Sequence, residues 1–137
     1  MFASDRSQSA ARLVALTAIA LLAACGNSTD PLAPFSPQIT NVADNFHLQA
    51  TNVTNVTSTI NYTWANTGTT AAAGQSSTVS AGTAVLTVLD RNGMQVYSQS
   101  LSANGTFPTN AGTTGNWTVR LVLTNYSGTL NFQVQKS

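Results

Sequence analysis

The sequence predicts an all-β protein, an antiparallel two-sheet β-sandwich of seven to eight strands placed after an N-terminal signal helix. Three observations lead there. Of 137 residues, 48 are Ser, Thr or Asn, whereas only nine are charged and none is Glu. Helices of soluble proteins draw on Glu and Lys for propensity and for i,i+4 pairing, so a chain with one Lys and no Glu is not a helical bundle. Hydrophobic residues make up 42% of the chain and fall in short alternating runs rich in β-branched and aromatic types, which a charge-driven disordered chain lacks. Turn residues separate these runs at roughly ten-residue intervals, the spacing of sandwich strands.

The first element is a processing segment. Arg6 and Arg12 precede an apolar run of twelve residues, LVALTAIALLAA, which ends at the only cysteine, Cys25. Twelve helical residues span about 18 Å, well short of the ~30 Å hydrocarbon core, so the run is a secretory signal and not a membrane span. Residues 1–24 are assigned to this signal, 25–37 to a linker and 38–137 to the folded domain. The linker sequence GNSTDPLAPFSP holds three of the four prolines and reads as a semi-rigid spacer.

Leu22-Ala23-Ala24-Cys25, followed by Gly26 and Asn27, resembles the lipobox of bacterial lipoproteins. The resemblance implies cleavage before Cys25 and attachment of lipid, including a fatty-acyl chain such as palmitate, to that residue. A lone cysteine in an exported chain forms no internal disulfide, and two or more acyl chains hold a protein stably on a bilayer. The alternative is an ordinary secretory signal with Cys25 as a free thiol. The expected location is the bacterial cell envelope, and the absence of Asp after the cysteine resembles the sorting signal for the outer membrane where there are two. After cleavage, Arg91, Arg120 and Lys136 balance Asp30, Asp44 and Asp90, leaving no basic cluster for nucleic acid.

Within the domain, Phe46, Leu48 and Ala50 alternate with polar neighbours, as do Ile60, Tyr62 and Trp64, and each set reads as a half-buried strand. Thr67–Gly74 reads as a small-residue loop, followed by a short strand around Ser76–Ser80. Thr83–Leu89, apolar on both faces in parts, is placed centrally in a sheet. Asp90-Arg91-Asn92-Gly93 then predicts a hairpin turn into Met94–Leu101, because Asn and Gly tolerate positive φ. A short strand is expected near Gly105–Pro108 and a loop over Thr109–Gly115. Trp117, Val119, Leu121 and Leu123 face inward, then Leu130, Phe132 and Val134; Asn125-Tyr126-Ser127-Gly128 between them reads as a hairpin turn. The echo Thr51-Asn52-Val53-Thr54-Asn55-Val56-Thr57 does not extend into a solenoid period.

Over Thr83–Val134, the strand, the D-R-N-G turn, Val96-Tyr97, Gly115-Asn116-Trp117-Thr118-Val119 and Ser127-Gly128-Thr129-Leu130 resemble jelly-roll sandwiches of the pre-peptidase C-terminal and proprotein-convertase P-domain type. What this implies is a jelly-roll-like accessory module. The Asp-rich turn that binds calcium in some of those modules is reduced here to Asp90 and Asn92; calcium wants six or more oxygens, and the alternative is a plain hairpin turn.

Candidate chemistry is sparse. His47 is the only histidine, and Asp44 three residues before it is its one nearby acid, so a hydrolase built on His47 and Asp44 is the enzymatic alternative. The alternation instead makes His47 a solvent-facing strand residue. No catalytic set, metal centre or cofactor is expected; zinc in particular lacks ligands. Tyr126, in a predicted turn, and Tyr97 are the candidate ligand-contacting aromatics, able to stack on a sugar or fill a partner's pocket; the alternative is a ring folded over the end of the sandwich. Seven N-x-S/T motifs follow from the abundance of Asn and Thr. The function expected is a non-catalytic binding or structural module, lipid-anchored through Cys25, whose ligand is a glycan or an envelope protein, or else a subunit of an envelope assembly.

Overall fold

The computed structural model describes Asp30–Ser137; the signal segment and Cys25 lie outside the described residues. Pro31–Ser137 forms the compact unit. It is all-β and antiparallel, with seven strands in chain order: β1 (Gln38–Val42), β2 (Asn45–Asn66), β3 (Ala71–Gln75), β4 (Thr78–Leu89), β5 (Gln95–Ser100), β6 (Gly105–Pro108) and β7 (Gly115–Lys136). Ahead of β1, a 3-10 turn at Ala33–Phe35, with Pro34 fixing φ at its start, folds back on itself through Phe35 N–H to Leu32 O. Leu32, within the expected spacer, is fully buried, and Phe35 packs beside it on the core.

β2 and β7 are each 22 residues long and pair along their whole length, from Asn45↔Gln135 to Asn66↔Gly115. A straight strand would hold Phe46 and Tyr62 about 50 Å apart. Their ring centroids instead lie 5.2 Å apart, and Asp44 N–H donates to Ala65 O at 2.9 Å. Both long strands therefore fold over in the middle and run through two layers. The first layer holds β1, the start of β2, the end of β7, β3 and β6; the second holds the end of β2, the start of β7, β4 and β5. The result is a two-layered, sandwich-like fold made from one hydrogen-bonded sheet.

The fold-over has a sequence cause. Register shifts place extra residues in β2 between Ala50 and Val56, in β7 between Leu123 and Tyr126, and in β4 between Val79 and Ala81. Asn52, Asn55 and Asn125 take positive φ, as do Gly82 and Gly128; Asn and Gly tolerate this region best, and β-bulges bend the strand that carries them. The Thr-Asn-Val echo is thus two successive bulges. Each turns a valine inward, with Val53 and Val56 both buried. Side chains replace the lost ladder bonds: Ser127 Oγ accepts from Asn55 N–H, Thr57 Oγ1 from Asn125 N–H, and Tyr126 OH donates to Thr78 O at 2.7 Å.

Four readings of the sequence are corrected here, the first being that the short strand around Ser76–Ser80 and the strand Thr83–Leu89 are one continuous β4. Asn125–Gly128 is a bend inside β7 and not a hairpin turn, because residues that permit positive φ serve a bulge as well as a turn. The stretches around Phe46–Ala50 and Ile60–Trp64 are two ends of one strand. Of the expected loop Thr67–Gly74, the part from Ala71 on belongs to β3; Ala71 and Ala73 are buried between β7 and β6, but alanine and glycine carry little strand signal. The inward faces are as the alternation predicts: Trp117, Val119, Leu121, Leu123, Leu130, Phe132 and Val134 are all buried. β4 lies centrally between β5 and β7, and Asp90–Gly93 turns the chain from β4 into β5. Trp64 and Trp117 face each other across β2 and β7 as a T-shaped pair with centroids 6.0 Å apart, and their indole N–H groups donate to Val42 O and Thr113 O.

A Cβ at Gly128 would collide with Thr78 O, and one at Gly82 with the Asn125 carbonyl. Gly128→Ala and Gly82→Ala are each expected to lower stability by about 2–3 kcal/mol. Gly74→Ala, where a Cβ meets nothing within 4 Å, should leave it within about 1 kcal/mol. Urea unfolding, read as a fall in midpoint at constant slope, checks the contrast.

Candidate functional site

The outer face of the first layer is built from the polar half of each alternating strand. Thr40, His47, Gln133, Gly74 and Thr106 cross it in one row, register partner to register partner. Flanking rows run Gln38, Gln49, Asn131 and Asn45, Gln135, Ala72. Apart from Gly74 and Ala72, these positions carry amides, hydroxyls and one imidazole, because their neighbours along each strand, such as Phe46, Leu48, Phe132 and Val134, fill the core. At Gly74 the row opens into a groove of about 400 Å³, walled by His47, Asn131 and Gln133 on one side and by Asn104 and Thr106 on the other. No Asp, Glu, Lys or Arg lines it.

The walls are held by hydrogen bonds. His47 Nε2 and Asn131 Oδ1 are 2.9 Å apart, and Gln133 Nε2 donates to Asn45 Oδ1 at 2.9 Å. Beneath the floor, Gln75 is buried; its Nε2 donates to Ser100 O and Ala103 O, and its Oε1 accepts from Tyr97 OH at 2.7 Å. A second groove of about 370 Å³ lies at the fold-over, between the β2 bulges and the Ser127–Thr129 stretch of β7.

The structure places the expected site residues differently from the sequence reading. Tyr126 is fully buried, with its hydroxyl on Thr78 O, and Tyr97 is 8% exposed with its hydroxyl on Gln75. Neither ring is available to stack on a ligand: Tyr126 follows the bulge at Asn125 and turns inward, and Tyr97 closes over Gln75. Burial pushes both phenols up to about 12. Asp90 is 4% exposed; Oδ1 accepts the N–H groups of Asn92 and Met94, and Oδ2 that of Thr113. Those backbone donors, Met94 first and Thr113 next, hold its carboxyl below the ordinary range. Asn92 Nδ2 reaches Thr113 Oγ1. The two residues stitch the β4–β5 turn to the loop before β7, Asp90 through both carboxylate oxygens and Asn92 through its side-chain N–H. Among the described residues, no group of three or more His, Cys, Asp or Glu side chains comes together for a metal.

His47 and Asp44 are not a pair. The Asp44 carboxylate accepts from Thr67 N–H at 2.8 Å and Thr67 Oγ1 at 2.9 Å and lies 3.6 Å from Lys136 Nζ; the Thr67 backbone N–H is the leading cause of its lowered pKa. His47 faces Asn131 instead. What sequence reasoning missed is the groove itself: Asn131, Gln133 and His47 were legible as outward-facing, but Gly74 and Thr106 join them only through the β7–β3–β6 pairing. No protein-family model matches the chain, and no curated protein sequence matches it.

The lowered carboxyls give stability that is complete above their unfolded value, near 3.8, and is lost as pH falls below it. The raised tyrosines give stability that is complete below their unfolded value of 10.0 and is lost as pH climbs toward about 12. Urea midpoints are therefore expected to be level between about pH 5 and pH 9 and to fall on either side. Asp90→Asn should soften the acid limb, and Tyr126→Phe the alkaline one.

Proposed function

We propose that the chain is a lipid-anchored lipoprotein of a bacterial envelope whose β-sandwich domain is a non-catalytic binding module. The observation that carries the reading of the domain is the uncharged, amide-lined groove over β3, set in a protein whose acids at Asp44 and Asp90 are both committed to backbone donors. A general acid or base works with a proton it can exchange near the operating pH; carboxyls held low by N–H donors favour staying ionised. The anchor rests on the signal run and on Leu22-Ala23-Ala24-Cys25, with the outer membrane as its site in a two-membrane organism. The jelly-roll-like resemblance to accessory modules agrees with a domain that binds and does not catalyse. His47 within the groove wall would then contribute a hydrogen bond and not a general base.

A second reading, a subunit of an envelope assembly, is favoured by β1. All five of its residues are exposed on the sheet edge, with Ile39 at 38% and Val42 at 55%, and an open edge accepts an added strand.

Intact-mass spectrometry of the protein extracted from its host tests the anchor. The expected product begins at Cys25 and carries acyl chains, and Cys25→Ser should remain unprocessed and unlipidated; an unmodified soluble product would replace the anchor with simple secretion. Hydrolysis of ester or glycoside substrates that disappears in His47→Ala would replace the non-catalytic reading with the enzymatic one.

A further inference from the structure

We infer that the groove over β3 is a binding site for a neutral glycan chain, with Gly74 as its floor and Asn131, Gln133 and Thr106 as its hydrogen-bonding groups. The inference rests on the reading of the domain as a binding module and names its ligand class.

Gly74 is the first support. Glycine weakens a strand interior and is retained where a bulge, a bend or a closely approaching group requires it. Gly74 pairs in regular register with Gln133 on one side and Thr106 on the other. It is not among the positive-φ glycines, and a Cβ there would meet nothing within 4 Å. Neither the backbone nor the packing asks for it. What its missing side chain does is leave a trough about 400 Å³ in size between longer neighbours, within the range of ligand sites.

The chemistry of the walls selects the ligand. Every polar lining side chain is an amide, a hydroxyl or an imidazole, and together they both donate and accept. Sugar hydroxyls also do both. With no cationic side chain the groove offers nothing to a phosphate or carboxylate, and with no anionic one nothing to an amine. Its one apolar side chain of any size, Phe132, is 1% exposed, so it has no socket for a peptide's hydrophobic anchor or a lipid tail.

The polar groups are also pre-set, which reduces the entropy lost on binding. The bond to His47 uses Asn131 Oδ1, and the bond to Asn45 uses Gln133 Nε2. Asn131 Nδ2 is left as a donor and Gln133 Oε1 as an acceptor, on residues whose Cα atoms lie about 7 Å apart along one face of β7. Gln75, fixed by Tyr97, Ser100 and Ala103, keeps the neighbouring backbone of β3 in place. The groove reaches the short edge strand β6 at Gly105 and Thr106 and is not an enclosed cavity, which suits a chain over a single enclosed sugar.

The test uses the full chain extracted in a detergent without a sugar headgroup, sedimented with cellulose, starch, mannan, xylan or chitin, and reads the fraction bound. At least one polysaccharide should retain the protein, equally at low and high salt, since the contacts are uncharged. Gly74→Trp fills the trough and should weaken retention at least about tenfold with an unchanged thermal midpoint. The Asn131→Ala/Gln133→Ala double variant reads the same loss if the tryptophan disturbs folding. No retention on any of the five, or retention abolished by salt, overturns the inference. Equal retention of wild type and both variants overturns the groove as the site while leaving a binding module. Release of soluble sugar would instead overturn the non-catalytic reading on which the inference rests.

Discussion

Everything in this fold depends on bending two strands that are too long for one layer. β2 and β7 each supply a segment to both layers, so the sandwich is not two sheets brought together but one sheet folded along a line of bulges. That line has to break the alternation without letting the inward face turn outward. Three asparagines and two glycines at positive φ do this, and Val53, Val56 and Tyr126 plug the crease from inside. Phe46 against Tyr62 and the Asp44 N–H on Ala65 O then close the far end, so one strand is stapled to itself.

The unusual composition follows from this geometry more than from any ligand. A bulge removes ladder hydrogen bonds, and buried or half-buried backbone groups must find other partners. Ser, Thr and Asn reach neighbouring backbone from short side chains, and here they do so at Ser77, Ser80, Thr57 and Ser127. Acids are used the same way: Asp90 and Asp44 act as acceptors for loop N–H groups, and the ion pair of Lys136 with Asp44 is partly exposed and a minor contributor. With the charges so assigned, the groove on the outer face is lined by amides, hydroxyls and one imidazole.

Legibility in the sequence divided along a physical line. Features set by local alternation were readable: the inward runs Trp117–Leu123 and Leu130–Val134, the central strand β4 and the Asp90–Gly93 turn. Features set by which strands pair across distance were not. Nothing in Asn125–Gly128 distinguishes a chain that reverses from one that creases, since both need the same φ values. The alanines of β3 acquire strand geometry from β6 and β7 and have little propensity of their own. The candidate site suffered most. Tyr126 and Tyr97 are aromatic and lie near turns, which is what a binding surface looks like in one dimension, yet both are buried; Gly74, which shapes the groove, carried no signal at all.

One arrangement has a kinetic meaning. β7, the last of the seven strands, is the hub onto which β2, β3 and β4 all pair. Its contacts with β2 span up to ninety residues of intervening chain, as at Asn45↔Gln135. Non-local pairings of this kind slow folding, because the loop must be closed before contacts repay it. A chain growing from its amino end can form the β1–β2 and β4–β5 hairpins early, but both of the core's faces wait for the twenty-two residues of β7. Until those arrive, three strands have no central partner and apolar surface lies open. Docking of β7 is thus the step that commits the fold, because β2, β3 and β4 meet only through it.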